Sequence, residues 1–318
     1  MHMAPDLIVL GDLVADLVVP VERLPIVANQ HGWAEGIFVE PGGAGNILVA
    51  ARRVNLSVAT VGSIGADQYG QEMLRMLRLE GVDVDHVEVD SARKTVLCMV
   101  LADRAGQHVY LGIKDGLGRW PYLPAWDALI RGTRALFTDG YTLRDVLAPA
   151  DFYRALEVAR RAEVPIFFDP GPSLAFISRE VCLQALAATD VLLLTDEEAD
   201  LLGVNGSGEE VAGALRAFGP STVVLKQGAA GCTVATADEV VVQPGFRVDV
   251  IDTVGAGDSF AAAFIAGYLR GGSWRDCATL ANAMGALTTT RRGAGTRIPP
   301  REDLLRLLAA EPRALALA

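Results

Sequence analysis

The chain has 318 residues, carries a formal net charge of −11, and is 51% hydrophobic and 21% charged. No run approaches the ~18–20 apolar residues that a membrane span requires, and the acidic balance shows no basic patch of the kind nucleic-acid-binding domains carry. Four scattered cysteines without a C-x-x-C pair, and four histidines without ligand spacing, argue for buried thiols in a reducing compartment and against disulfides or a transition-metal centre.

In chain order, "MHMAPDLIVLGD" lacks a basic n-region and a cleavage site, so no export signal is expected and a cytoplasmic location is. His2 and Met3 read as a cloning remnant. "LIVLG" (7–11) is the first β-rich run; "LGDLVADLVV" ends it with Asp12 and places Asp16 four residues on. Residues 21–41 and 95–113 alternate apolar and polar, like antiparallel strands. They read either as an edge hairpin or as a small β-lid over a cleft. Between them "EPGGAGNILVAARRV" (40–54) puts Gly42, Gly43 and Gly45 before Asn46 and a helix. An acid and an amide from separate loops can hold sugar hydroxyls, although a plain loop-to-helix turn explains the glycines equally well.

Further on, "ALFTDG" (135–140), "PIFFDPG" (165–171), "VLLLT" (191–195) and "TVVLKQG" (222–228) alternate with helix-like segments such as 151–162 and 208–218. That pattern predicts a mostly parallel sheet covered by helices on both faces, with ligands at the carboxyl ends of its strands. With no repeat or linker, one domain over 1–318 plus a lid is expected.

"IDTVGAGDSF" (251–260) precedes the apolar run "AAAFIAGYL". Gly255, Ala256 and Gly257 then occupy the entry to a helix, where backbone N–H groups lack intrahelical partners and the dipole favours an anion. Asp258 reads either as an N-terminal cap or as a general base for a hydroxyl attacking a phosphoryl group. The chain has no G-x-x-x-x-G-K-[ST] and no G-x-G-x-x-G after its first strand, which excludes a P-loop kinase and a Rossmann dehydrogenase.

"PGGAGNILVAARRVNLSVATVGSIGADQYGQEMLRMLRLEGVDV" and "DTVGAGDSFAAAFIAGYL" resemble the two signatures of the ribokinase-like (PfkB-type) carbohydrate kinases. The opening G-D-x-x-x-D, the G-x-D-x-x-G of "GADQYG" and "LANAMGALTTTRRGA" extend the resemblance over nearly the whole chain. It implies a ribokinase-like three-layer α/β/α domain with a mainly parallel sheet and a small β-lid. It further implies an ATP-dependent kinase of a hydroxymethyl group on a small sugar, with a nucleoside kinase as the alternative and a non-catalytic sugar- or nucleotide-binding regulator as the rival class. By the same resemblance Asp258 is the catalytic base, and Gly255, Ala256 and Gly257 form the anion hole. Asp16, Gly43 and Asn46 hold the sugar. Lys226, Gly228, Gly231 and Asn282 lie along the nucleotide. Glu198 helps place Mg²⁺ through water, and Asp252 and Val254, with the "RRGAGT" loop 291–296, bind a monovalent cation, K⁺.

Two departures stand out. Thr195 replaces Asn in the N-x-x-E motif, here "TDEEAD", and "DPGPS" (169–173) replaces D-P-N-x-R. Trp33, Phe38 and Met99 are candidates for stacking on a nucleoside base. The sugar-side loops show no Arg/Lys cluster, which disfavours a sugar phosphate. A homodimer through the lid is one assembly the sequence leaves open, with neither nucleic acid nor membrane expected as partner.

Overall fold

In the computed structural model, residues 4–318 are described, so His2 and Met3 lie outside it. The thirteen strands are β1 (Leu7–Leu10), β2 (Leu13–Pro20), β3 (Phe38–Gly43), β4 (Val58–Gly65), β5 (Val87–Asp90), β6 (Val96–Ala102), β7 (His108–Ile113), β8 (Leu136–Asp139), β9 (Ile166–Asp169), β10 (Val191–Thr195), β11 (Thr222–Lys226), β12 (Gly231–Ala235) and β13 (Val240–Pro244). Nine of them form one sheet in the order β13-β12-β11-β10-β9-β8-β1-β4-β5. The pairs from β11 through to β5 are parallel, and β12 and β13 add an antiparallel edge.

The parallel strands are buried on both faces, so they read as continuous apolar runs and not as alternations. Leu7 and Val9 face one core and Ile8 and Leu10 the other. Helices Ala44–Arg53, Ala256–Leu269 and Trp274–Thr288 cover the first face, and helices such as Pro149–Arg161 and Arg179–Ala187 cover the second. This is the three-layer α/β/α arrangement expected.

The smaller sheet runs β3-β2-β6-β7 and corrects the lid boundaries. Residues 95–113 supply β6 and β7, but most of 21–41 is irregular and exposed. Only β3, with one isolated bridge between Val21 and Ala34, is extended there. The missing strand is β2. The chain leaves the large sheet at Gly11–Asp12 and enters the lid within two residues, so Asp16 stands on a lid strand opposite Glu40 and Cys98. All four cysteines are free; three are buried and Cys98 is partly exposed on the lid.

The G-x-D-x-x-G motif has a structural use. Asp67 caps helix Gln68–Leu79 through the N–H groups of Tyr69 and Gly70, and its other oxygen accepts from Thr95 N at 2.8 Å. One carboxylate thereby ties the sheet-to-helix turn to the start of β6.

Candidate active site

Five neighbouring strands end in polar residues at one edge of the large sheet: Asp12 follows β1, and Asp139, Asp169, Thr195 and Lys226 close β8, β9, β10 and β11. Asp139 pairs with Asp169 in register, and Thr195 with Lys226. Two buried like charges side by side need compensation. Asp139 accepts from Thr142 N at 2.7 Å, and Asp169 accepts from Gly171 N at 3.2 Å and from Lys226 Nζ at 2.5 Å. Burial still pushes Asp139 up to about 6, with the Asp169 charge adding to it against the Thr142 bonds. Burial pulls the Lys226 ammonium down, but Asp169, Glu198 and Asp258 together hold it above its usual value. Lys226 is therefore a cation fixed among acids.

Gly255 caps helix Ala256–Leu269 in the left-handed region at φ 75°, and no side chain caps that end. A Cβ on Gly255 would lie 2.7 Å from that of Ala294, so only glycine fits. Ala256 turns its N–H back to Thr253 O at 3.2 Å, which corrects the expectation that its amide is open. Among the described residues the N–H groups of Gly255 and Gly257 find no backbone acceptor. Lys226 Nζ lies 3.7 Å from where a Gly257 Cβ would stand, at the mouth of the helix. Asp258 is the third helical residue and caps nothing. Burial pushes its carboxyl up to about 7; Asp169 adds to the rise, and Lys226 and a hydrogen bond from Asn46 oppose it. A carboxylate poised near neutrality beside open amides and a fixed cation suits a proton acceptor in phosphoryl transfer.

On the sugar side, burial lifts Asp16 to about 7, helped by Asp258 and Glu40. Gly42 stands diagonally across on β3, where a Cβ would lie 2.2 Å from the Asp16 carboxylate. Gly43 forms the N-cap of helix Ala44–Arg53. Asn46, on that helix, accepts from Gly295 N at 2.9 Å and lies near enough to Asp258 to oppose its upward shift, so it borders both the C-terminal loop and that carboxyl. Asp12 is likewise pushed up to about 7, by burial and then Asp139, with Lys114 opposing.

The loop 291–297 is held by three acceptors from distant segments. Asp252 Oδ2 takes Gly293 N at 2.8 Å, Asn46 takes Gly295, and the buried Glu40 of the lid takes Thr296 N at 3.0 Å and Arg297 Nε at 3.2 Å. Asp252 is itself buried, accepts from Val254 N at 3.0 Å, and meets His108 Nε2 of β7 at 3.4 Å. The turn before the anion hole, the C-terminal loop and the lid thus converge on one carboxylate.

Thr195 and Glu198 form a reciprocal capping box: Thr195 Oγ1 accepts from Glu198 N, and Glu198 Oε2 accepts from Thr195 N at 2.8 Å. Threonine therefore fixes the acid without reaching the cleft, and leaves Glu198 one oxygen. Gly228 opens the β11–β12 turn and Gly231 starts β12, both at positive φ. Asn282 gives its Nδ2 to the carbonyls of Gln243 and Pro244, at 3.1 Å each, so its donors anchor the end of β13. Among the described residues no group of three or more His, Cys, Asp or Glu could hold a metal unaided. That suits Mg²⁺, which keeps its waters and binds one or two carboxylates plus substrate phosphates; Glu198 and Asp169, flanking Lys226, are the available acids.

Sequence reasoning passed over Asp139 and Asp169 as catalytic-edge residues; the signal was an aspartate closing each of two adjacent β-rich runs. It also passed over a set of cations. Arg93, Lys114, Arg119 and Arg144 line one cavity with Asp12, although no two are neighbours in sequence.

An open helix terminus, a fixed lysine and an aspartate raised to about 7 at the carboxyl edge of a parallel sheet form an arrangement suited to phosphoryl transfer. Residues 4–301 match the pfkB family carbohydrate kinases. An ATP-dependent ribose-1-phosphate kinase of Halopiger xanaduensis is 33% identical over 88% of this chain and 90% of its own, and a fructokinase of Klebsiella pneumoniae is 30% identical over 94% and 98%. The structure of Arabidopsis thaliana ribokinase complexed with ribose and ATP superposes with a TM-score of 0.82 at 24% identity, covering 96% and 99%. The chain belongs to the pfkB family of carbohydrate kinases.

Proposed function

We propose that this enzyme transfers the γ-phosphoryl group of ATP to a hydroxymethyl oxygen of a small sugar. The observation that carries the reading is Asp258, half-buried beside the open amides of Gly255 and Gly257, with Lys226 at the same helix mouth and Asp16 across from it. In the step, the acceptor oxygen forms a bond to the γ-phosphorus, the bond from that phosphorus to the bridging oxygen of ADP breaks, and the acceptor's proton passes to Asp258. The amides and Lys226 meet the charge on the transferring oxygens. Asp16 holds a remote hydroxyl, and Gly228, where a Cβ would meet nothing within 4 Å, leaves the nucleotide an open path, while Gly231 lets β12 close onto the backbone of Gln243 and Gly245 beside it. Mg²⁺, when bound, neutralises phosphate charge; Glu198 and Asp169 are the residues that would hold it, directly or through water.

The named activities of the two relatives differ in whether the acceptor already carries a phosphate, while both act on small sugars. A nucleoside acceptor is less well supported, because Trp33 is 92% exposed and Arg297 stands 5.3 Å over one face of the otherwise exposed Phe38 ring. ADP release with ATP and Mg²⁺, measured across free sugars, sugar phosphates and nucleosides, tests the reading; no turnover with any of them would overturn it. Four free thiols suit the reducing cytoplasm.

Potassium should stimulate turnover, and sodium less so. Asp252 is a buried carboxylate with no Lys or Arg partner among the described residues, beside the Val254 turn and the 291–296 loop, whose carbonyls suit a large monovalent ion. Equal rates in potassium and in a bulky organic cation buffer would show that no cation is needed beside Asp252, whose protein partners His108, Val254 N and Gly293 N then suffice.

The lid supports a homodimer. Tyr110, Leu111 and Ile113 of β7 and Phe38 of β3 are exposed apolar residues on its two edge strands, an arrangement that favours covering by a second copy. Light scattering should give twice the chain mass, and a monomer at micromolar concentration would refute it.

A further inference from the structure

The cleft edge is acidic, yet it adjoins a cavity of about 300 Å³ lined by Arg93, Lys114, Arg119 and Arg144. Three carboxylates face these four cations: Asp12, Asp115 and Asp145. Their pairings leave a surplus of donors. Arg93 is saturated: it binds Asp115 with two nitrogens, at 2.6 and 3.2 Å, donates to Gly118 O at 2.7 Å, and lies 4.0 Å over the Trp120 ring. It forms a fixed wall, steadied two residues on by the bond of Thr95 to Asp67.

Asp145 is shared by Lys114 at 3.0 Å and Arg144 at 3.4 Å. Lys114 therefore keeps two further N–H donors, and Arg119 donates to Arg144 O at 2.7 Å with most of its guanidinium unused. Asp12, half-buried and raised to about 7, closes the cavity on the side of Asp16. A neutral sugar offers these cations only hydroxyls. A phosphate offers three strong acceptor oxygens and up to two charges.

We propose that this cavity binds a phosphate already carried by the sugar, so that the acceptor is a sugar monophosphate and the product a bisphosphate. The inference rests on the kinase reading above and narrows it to one substrate class. Lys114 and Arg119 are the specificity-determining side chains, and Arg93 with Asp115 forms the rigid back of the subsite.

The test compares kcat/KM for free and phosphorylated members of the same sugars, ribose with ribose 1-phosphate and fructose with its 1- and 6-phosphates, at fixed ATP and Mg²⁺. A phosphorylated member should be preferred at least tenfold. Arg119→Ala and Lys114→Gln should each reduce that preference by roughly 10–100-fold, the loss of one charged hydrogen bond, mainly through KM. Lys114→Arg should retain most of it. Inorganic phosphate should compete with the sugar phosphate and not with ATP.

If free sugars are used as well as or better than their phosphates, and neither variant moves the ratio, the subsite is refuted while the kinase reading stands. If inorganic phosphate alters kcat without competing, the cavity serves a free effector and the substrate claim is refuted. If no sugar of either kind is turned over, the kinase reading fails first. Calorimetry with inorganic phosphate then decides the cavity separately: binding abolished by Arg119→Ala supports an anion site, and equal or absent binding removes it.

Discussion

Asp258→Asn should lower kcat by roughly 10²–10⁴-fold, the range over which a positioned general base acts. The amide keeps the size of the side chain but cannot take the proton of the acceptor hydroxyl. Nucleotide affinity should hold or improve, because a carboxylate beside the phosphates is removed. Two pH signatures accompany the loss. The folded protein raises Asp258 from 3.8 to about 7, chiefly by burial. In the wild type, kcat/KM should therefore fall as the pH drops through about 7 and the base becomes protonated; the residual rate of the variant should not follow that limb.

The second signature is in stability. A carboxyl whose folded pKa is raised favours the native state while protonated, an effect complete below about 4 and lost as the pH rises through about 7. Asparagine never ionises. Melting temperatures should accordingly show the variant gaining on the wild type at pH 8 relative to pH 5. A variant that turns over within tenfold of wild type would refute the mechanism, and an equal melting difference at both pH values would refute the buried charge.

What could be read in the sequence was what is local. The anion-hole turn, the glycine cluster before Asn46 and the aspartate of the helix mouth each lie within a few residues, and glycine and helix-entry chemistry are short-range properties. The parallel strands were legible because burial on both faces makes them unbroken apolar runs. β2 was hidden for another reason: Leu13–Pro20 follows β1 after only two residues, and nothing in Gly11–Asp12 marks a change of sheet. Residues 21–37 alternate in hydropathy, yet the single Val21–Ala34 bridge is all the pairing they make there, so alternation predicted strands that do not form. The acids at the catalytic edge needed strand register, since Asp139 and Asp169 meet only because β8 and β9 are neighbours. Asn46 reads as a ligand for sugar until its oxygen is found on Gly295, 249 positions away. The basic cavity is the same case: four cations from three segments, Arg93, the loop of Lys114 and Arg119, and Arg144, form a cluster that no short window of sequence contains.

Asp16→Ala should reduce kcat/KM for the sugar by roughly 10–150-fold and leave ATP binding unchanged. The magnitude is that of one hydrogen bond to a charged partner, about 1.5–3 kcal/mol at roughly 1.4 kcal/mol per decade. The direction follows from the lid. Asp16 stands on β2 between Glu40 of β3 and Cys98 of β6, and Asp258 contributes to its raised pKa, so its carboxylate and the base face a common space. The nucleotide side, built from Lys226, Gly228 and Gly231, belongs to β11 and β12 at the other end of the cleft. If the hydroxyl held by Asp16 also aligns the attacking oxygen, its loss should cost kcat as well as KM. Gly42 provides a variant that leaves the carboxylate in place chemically. A Cβ there would lie 2.2 Å from it, so Gly42→Ala must push Asp16 aside and should reproduce much of the sugar defect with ATP binding intact. Should Asp16→Ala weaken ATP and sugar equally, or neither, the acceptor does not sit against the lid strand, and the division of the cleft into a sugar end and a nucleotide end is wrong.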